Sequence, residues 1–243
     1  PYTSDDGFSV TDYRQINPEL GSWEDVENLS AEYGLMFDAV INHISKSSDW
    51  FQGFLKGESP YRDYFITCDP KADYSAVTRP RALPLLTEFE TSEGVKHVWT
   101  TFSEDQIDLN YGCPELLAQI ADLLLMYAQK GARYIRLDAV GFMWKELGTT
   151  CMHLPQTHEI IKLIKDIFRV YSPKTRIITE TNVPHEDNIS YFGTDGDEAD
   201  LVYQFPLPPL VMYSLITGSA KTLSDWMKTL QLPSDKVTYF NFL

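Results

Sequence analysis

The chain has 243 residues, and 35 acidic against 20 basic side chains leave a formal net charge of −15. With 43% apolar and 13% aromatic residues it can bury a sizeable core, which excludes a disordered chain. The acid excess argues against nucleic acid as a partner, since phosphate contacts need clustered Lys and Arg, and no apolar run approaches the roughly 18 residues of a membrane span.

Trp23 to Tyr33 reads as a helix and Leu35 to Ile41 as a buried strand. Strand–helix alternation then stops between Ile44 and Cys113. That stretch, rich in Pro, aromatics, Asp and Thr, is too long for an ordinary loop and reads as a small inserted domain. Pro114 to Lys130 carries Leu116, Leu117, Ile120, Leu123, Leu124 and Tyr127 at helical spacing, with Pro114 suited to its first turn and Gly131 to its end. Ala132 to Asp138 is a strand. Thr157 to Tyr171 repeats the helical pattern through Ile160, Ile161, Ile164, Ile167 and Phe168, and Pro173 stops it. Arg176 to Thr179, Leu201 to Phe205 and Val237 to Leu243 are further strands, with a helix around Ser224 to Leu230 before the last. Such alternation implies parallel strands with right-handed crossovers, hence an α/β fold.

Cys68, Cys113 and Cys151 make an odd count without close pairing, so a reducing compartment and a cytoplasmic protein are expected. Pro1 is no natural start, and the chain stops within an apolar strand, so a fragment of a longer protein is expected. Expressed alone, residues 1–243 are expected to expose unpaired strand edges, to aggregate and to be inactive.

The informative side chains sit at strand C-terminal ends: Asp38, Asn42 and His43 at the first, Arg136 and Asp138 at the second, Glu180 at the third. Active sites of (β/α)₈ barrels form at that face. Alternation puts Arg136 and Asp138 on one face of their strand and Ile135 and Leu137 on the other. A carboxylate beside a guanidinium stays ionised, which suits a nucleophile. Glu180, facing Asp138 across a confined site, then suits the acid. Each has a bland reading too: a structural ion pair for Arg136–Asp138, an anchor for Asp38, a core histidine for His43. His153 and His158 lie off helical register, and no Cys/His spacing suggests zinc. The acidic run Asp195 to Asp200 lacks the glycine and terminal Glu of a calcium loop.

Three ordered segments carry a resemblance: Asp38-Ala-Val-Ile-Asn42-His43, Gly131-Ala-Arg-Tyr-Ile-Arg136-Leu-Asp138-Ala and Ile178-Thr-Glu180-Thr-Asn182. They resemble motifs of the α-amylase family, glycoside hydrolase family 13. The resemblance implies a (β/α)₈ TIM barrel, truncated at both ends, with the family's domain B after its third strand. The implied layout is 1–43 (end of strand two through strand three), 44–113 (domain B) and 114–243 (the barrel continued to strand seven). It implies Asp138 as nucleophile, Glu180 as general acid/base, and Arg136 and His43 as sugar contacts. A fourth family motif, with the third essential carboxylate, would follow Leu243.

Gly7-Phe8-Ser-Val-Thr-Asp12-Tyr, Tyr61-Arg-Asp-Tyr-Phe65, Arg79-Pro80-Arg81, Val98-Trp99-Thr-Thr-Phe102, Lys145 to Cys151 and Phe205-Pro-Leu-Pro-Pro209 resemble, more narrowly, the sucrose phosphorylase-like subfamily. That group acts on sucrose, sucrose 6-phosphate, glucosylglycerol or glucosylglycerate. Phe142 stands where its sucrose-specific members tend to show Tyr. The resemblance adds Asp5 as a contact to glucosyl hydroxyls, Phe102 as a wall facing the sugar and Arg81 beside the acceptor. The implied reaction is retaining transfer of an α-glucosyl group to inorganic phosphate through a covalent Asp intermediate. Its partners are a small-molecule sugar and phosphate, with no cofactor and no metal, although Asn42 matches a calcium-linked position in amylases. Phosphate entering beside two carboxylates needs cations, which Arg79 and Arg81 supply. The alternatives are an α-glucoside hydrolase or transglycosidase with the same carboxylates, and a non-catalytic binding member, against which both carboxylates speak.

Overall fold

The computed structural model describes residues 1–243. Helix α1 (Trp23–Glu32) starts at Ser22, whose hydroxyl accepts from the Asp25 N–H while Asp25 accepts from the Ser22 N–H. This reciprocal cap satisfies two donors that a helix start leaves free. Strand β1 (Leu35–Ala39) follows.

The chain then leaves the parallel sheet. It forms β2 (His43–Ile44), α2 (Asp49–Lys56), the hairpin β3 (Leu86–Thr91) and β4 (Gly94–Trp99), and β5 (Ile107–Asp108). β2 pairs antiparallel with β5, and β3 with β4. Aromatic packing builds this excursion: Phe51, Phe54, Phe65 and Phe89 meet at ring-centroid distances of 4.8–5.3 Å. Its apolar side chains are continuous with those of the parallel sheet in one core, while Val77, Leu85, Trp99 and Cys151 form a small separate cluster.

The parallel part resumes with α3 (Pro114–Gln129), β6 (Ala132–Leu137), α4 (Pro155–Tyr171), β7 (Arg176–Thr179), α5 (His185–Ser190), β8 (Leu201–Tyr203), α6 (Leu207–Thr217), α7 (Lys221–Met227) and β9 (Thr238–Phe240). Pro114 and Pro155 each open a helix, where the missing N–H costs nothing. Gly131 ends the α3 turn at φ +99°, and a Cβ there would lie 2.4 Å from Ser30 Cβ, so only glycine fits between α1 and β6.

Five strands pair in the order β1–β6–β7–β8–β9, all parallel. Sequence order equals spatial order, as in a (β/α)₈ barrel. Ile135 and Leu137 are wholly buried, and the alternate side chains Arg136 and Asp138 pair with each other at 2.9 Å. The strands expected from periodicity are present; Arg176–Thr179 ends where expected and the other four end one to three residues earlier. The helix expected around Ser224 is α7, centred nearer the N-terminus. Helices α2, α5 and α6 were not expected. α6 is apolar all round and therefore shows no helical stripe, and α2 and α5 are short. No helix is long and apolar enough to cross a membrane.

Candidate active site

Register brings the acidic and basic strand ends together. Asp38 lies opposite Arg136 in the β1–β6 ladder, and Arg136 opposite Ile178 in the β6–β7 ladder, two residues before Glu180. The Arg136 guanidinium sits among three carboxylates. Its Nη1 is 2.7 Å from both Asp38 oxygens and 2.9 Å from Asp138 Oδ1, and its Nη2 is 4.0 Å from Glu180 Oε2. The rings of Phe8 and Tyr203 lie 5.8 and 5.6 Å from it. Glu180 also accepts the Ala139 N–H at 3.2 Å, aimed by a left-handed backbone at Ala139, φ 49°.

Burial pushes the Asp138 carboxyl up to about 7; Arg136 opposes the rise, and the charges of Glu180 and Asp38 add to it. The expected Arg136–Asp138 pair is present, but burial of Asp138 and the carboxylates beside it work against the guanidinium. Asp38 is the main partner of Arg136, and the like charge of Glu180 acts on Asp138.

A second cluster gathers the remaining sequence candidates. Asp5 accepts from Arg81 Nη2 at 3.0 Å and from Gln106 Nε2 at 2.9 Å. The Arg81 guanidinium lies 5.6 Å from the Phe102 centroid. Phe102 in turn packs against His43 at 5.2 Å and Phe142 at 5.4 Å. His43 donates Nε2–H to the Phe8 carbonyl at 2.8 Å and accepts the Asn42 amide at Nδ1, 3.2 Å, a tautomer assigned from these partners. Burial holds His43 neutral, its pKa lowered to about 4. Phe8 joins the two clusters, with its carbonyl on His43 and its ring on Arg136.

Gln106 escaped the sequence reading. It is a buried amide that holds Asp5 and touches the Phe8 carbonyl at 3.3 Å, and nothing in its sequence surroundings marks it. Lys145, which opens one of the resembling segments but was given no role from the sequence, has a buried ammonium. Its ammonium is 2.6 Å from Asp108 and 3.1 Å from Asn42 Oδ1, while Asp108 also accepts from the Thr101 N–H and hydroxyl at 2.7 Å. Two oxygen donors that suit a hard cation already face a fixed ammonium, so these residues do not fit a divalent ion. Arg79 lies exposed on the loop that carries Arg81.

Parallel strands in barrel order, with a shared-cation carboxylate cluster at their C-terminal ends, define a (β/α)₈-barrel protein with its site at the usual face. The chain belongs to the α-amylase family, whose catalytic-domain profile matches residues 2–238. It is 56% identical over its full length to a glucosylglycerate phosphorylase of Allomeiothermus silvanus, covering 44% of that protein. It is 31% identical over 93% of its length to a sucrose phosphorylase of Agrobacterium vitis, covering 47% of it. The crystal structure of sucrose 6F-phosphate phosphorylase from Thermoanaerobacter thermosaccharolyticum superposes with a TM-score of 0.85 at 28% identity, over 96% of this chain and 50% of that one. The chain thus spans about half the length of these relatives.

Proposed function

We propose that the protein carrying this chain is a retaining glycoside phosphorylase that cleaves an α-glucoside of glycerate with phosphate. The observation that carries this reading is the identity contrast: 56% with a glucosylglycerate phosphorylase against 31% with a sucrose phosphorylase. Asp138 attacks the anomeric carbon and Glu180 protonates the departing oxygen. The resulting glucosyl ester of Asp138 is opened by phosphate, which Glu180 assists as base, giving α-glucose 1-phosphate with net retention. Both carboxylates meet one guanidinium, which supports the close spacing that double displacement needs.

Arg136 orients the nucleophile, and Asp5, His43 and Phe102 form the sugar pocket. His43 acts through its ring face and as a fixed neutral support, since both its nitrogens bond within the protein. Glycerate and phosphate are both anions, and Arg81 at the pocket rim is the cation that meets them in turn, with Arg79 beside it. The reaction needs no cofactor, because leaving-group protonation and covalent capture are both done by carboxylates. The layout 1–43, 44–113 and 114–243 belongs to the same reading, with the inserted segment supplying Arg81 and Phe102.

The test follows glucose 1-phosphate and free glucose together from glucosylglycerate and from sucrose, with and without phosphate. Phosphate-dependent glucose 1-phosphate from glucosylglycerate is the expected result. Products unchanged by phosphate replace this reading with a hydrolase, and preference for sucrose replaces the glycerate assignment.

A further inference from the structure

Behind the turn that follows Asp138 lies a set of buried and half-buried side chains that the proposed chemistry does not use. Ala139 opens that turn in a left-handed conformation, φ 49°, with its N–H on Glu180. The turn therefore carries one carboxylate and holds the other. Such a backbone is disfavoured for a residue with a Cβ and persists where its surroundings hold it.

The support is on the far side, at Gly141. The Gly141 carbonyl accepts the His153 N–H at 3.0 Å. A Cβ at Gly141 would lie 3.0 Å from His153 Cε1 and 3.3 Å from Tyr191 Oη, so the His153 ring and the Tyr191 hydroxyl press directly on the turn. His153 is itself left-handed, φ 55°, and its Nδ1 is 2.6 Å from Tyr191 Oη. Tyr191 is wholly buried at the end of α5, downstream of Glu180, and stacks on His158 at 4.7 Å. His158 is anchored in turn, with Nδ1 2.8 Å from Glu198 Oε2.

We propose that His153 and Tyr191 are positioning residues for the Asp138–Glu180 pair, acting through the Ala139–Phe142 turn. This rests on reading those carboxylates as the catalytic pair. The segment after Asp138 and the segment after Glu180 diverge around the sheet end, and the His153–Tyr191 hydrogen bond ties them together again. Relaxing that tie shifts the Asp138 carboxylate and the Ala139 N–H, while every group in the sugar pocket stays present. Misplacement by about 1 Å can cost roughly a hundredfold in rate.

Tyr191→Phe removes one hydroxyl and keeps the ring stack. In the full-length protein its kcat for phosphorolysis falls about tenfold, with the donor KM within about twofold and the melting temperature nearly unchanged. Gly141→Ala drives a methyl against the His153 ring and costs more. Combined with His153→Ala, which makes room, it is no worse than His153→Ala alone, because neighbours that share one contact are not additive. A wild-type kcat in Tyr191→Phe, a loss confined to KM, or losses that multiply in the double variant would each overturn the proposal. Asp138→Asn, measured alongside, separates the two levels. If that variant is inactive while Tyr191→Phe is wild-type, only the positioning role falls; if it is active, the reading beneath falls too.

Discussion

The two ends of the same parallel strands use the same residue types to opposite effect. At the N-terminal end Asp200 is buried and meets two cations, Lys165 at 2.6 Å and Arg176 at 3.2 Å, and its second oxygen accepts the Ile177 N–H at 2.8 Å. The anion is matched there by cations and an N–H on both oxygens, and the cluster fastens α4, β7 and β8 to one another. At the C-terminal end the ratio is inverted, with Arg136 facing Asp38, Asp138 and Glu180. Burial, together with acid in excess of its counter-charge, leaves Asp138 destabilised as an anion, with its pKa raised to about 7. A matched ion cluster serves stability, and an unmatched one stores reactivity.

The largest expected effect breaks the unmatched cluster. Asp138→Asn in the full-length protein lowers turnover by about four orders of magnitude or more, because no glucosyl ester forms; measurable turnover with inverted product would reassign the nucleophile. Glu180→Gln follows, losing about a hundredfold to ten-thousandfold on a poor leaving group. It still releases fluoride from α-glucosyl fluoride in a burst assay, since that leaving group needs little protonation. Equal losses on both donors would remove Glu180 as the acid.

The matched cluster makes the converse prediction. Asp200→Ala leaves two cations without their shared anion and costs roughly 3 kcal/mol of stability by denaturant titration, with kcat per folded molecule unchanged. A drop in kcat would mean that the two strand ends are coupled.

The pH dependence of Asp138 sharpens the contrast further. Its folded pKa, about 7, lies above its ordinary value near 3.8, so its contribution to stability is complete below that value and is lost as pH rises through about 7. Asp138→Asn therefore unfolds at nearly the wild-type temperature at pH 4 and is more stable at pH 8, by at most about 4 kcal/mol. Catalysis runs the other way, since the nucleophile must be ionised, and wild-type kcat/KM falls as pH drops below about 7.

Arg81, the cation near the unmatched end, gives the smallest effect. Arg81→Ala raises the KM for phosphate, or lowers phosphorolysis, about tenfold to a hundredfold more than it lowers hydrolysis of the same donor. Arg81→Lys recovers part of the loss, because a point charge replaces a two-pronged donor. Parallel loss of both reactions with a lower melting temperature would make the Arg81–Asp5 pair a structural tie.

The sequence by itself determined the parallel α/β alternation and the face on which Arg136 and Asp138 lie. It also determined the three strand ends that carry acid and base. Those features are local, set by periods of two and 3.6 residues and by what stands at a strand's last positions. The tertiary structure decided how charge is shared. That Asp38 takes the two shortest contacts of Arg136, 98 residues away, follows from the β1–β6 register, and no local pattern announces it. Burial likewise outweighs the guanidinium at Asp138, because desolvation depends on everything packed around a group. Gln106 and the buried contacts of Lys145, made with partners 37 to 103 residues away, became legible only when the chain had closed on itself.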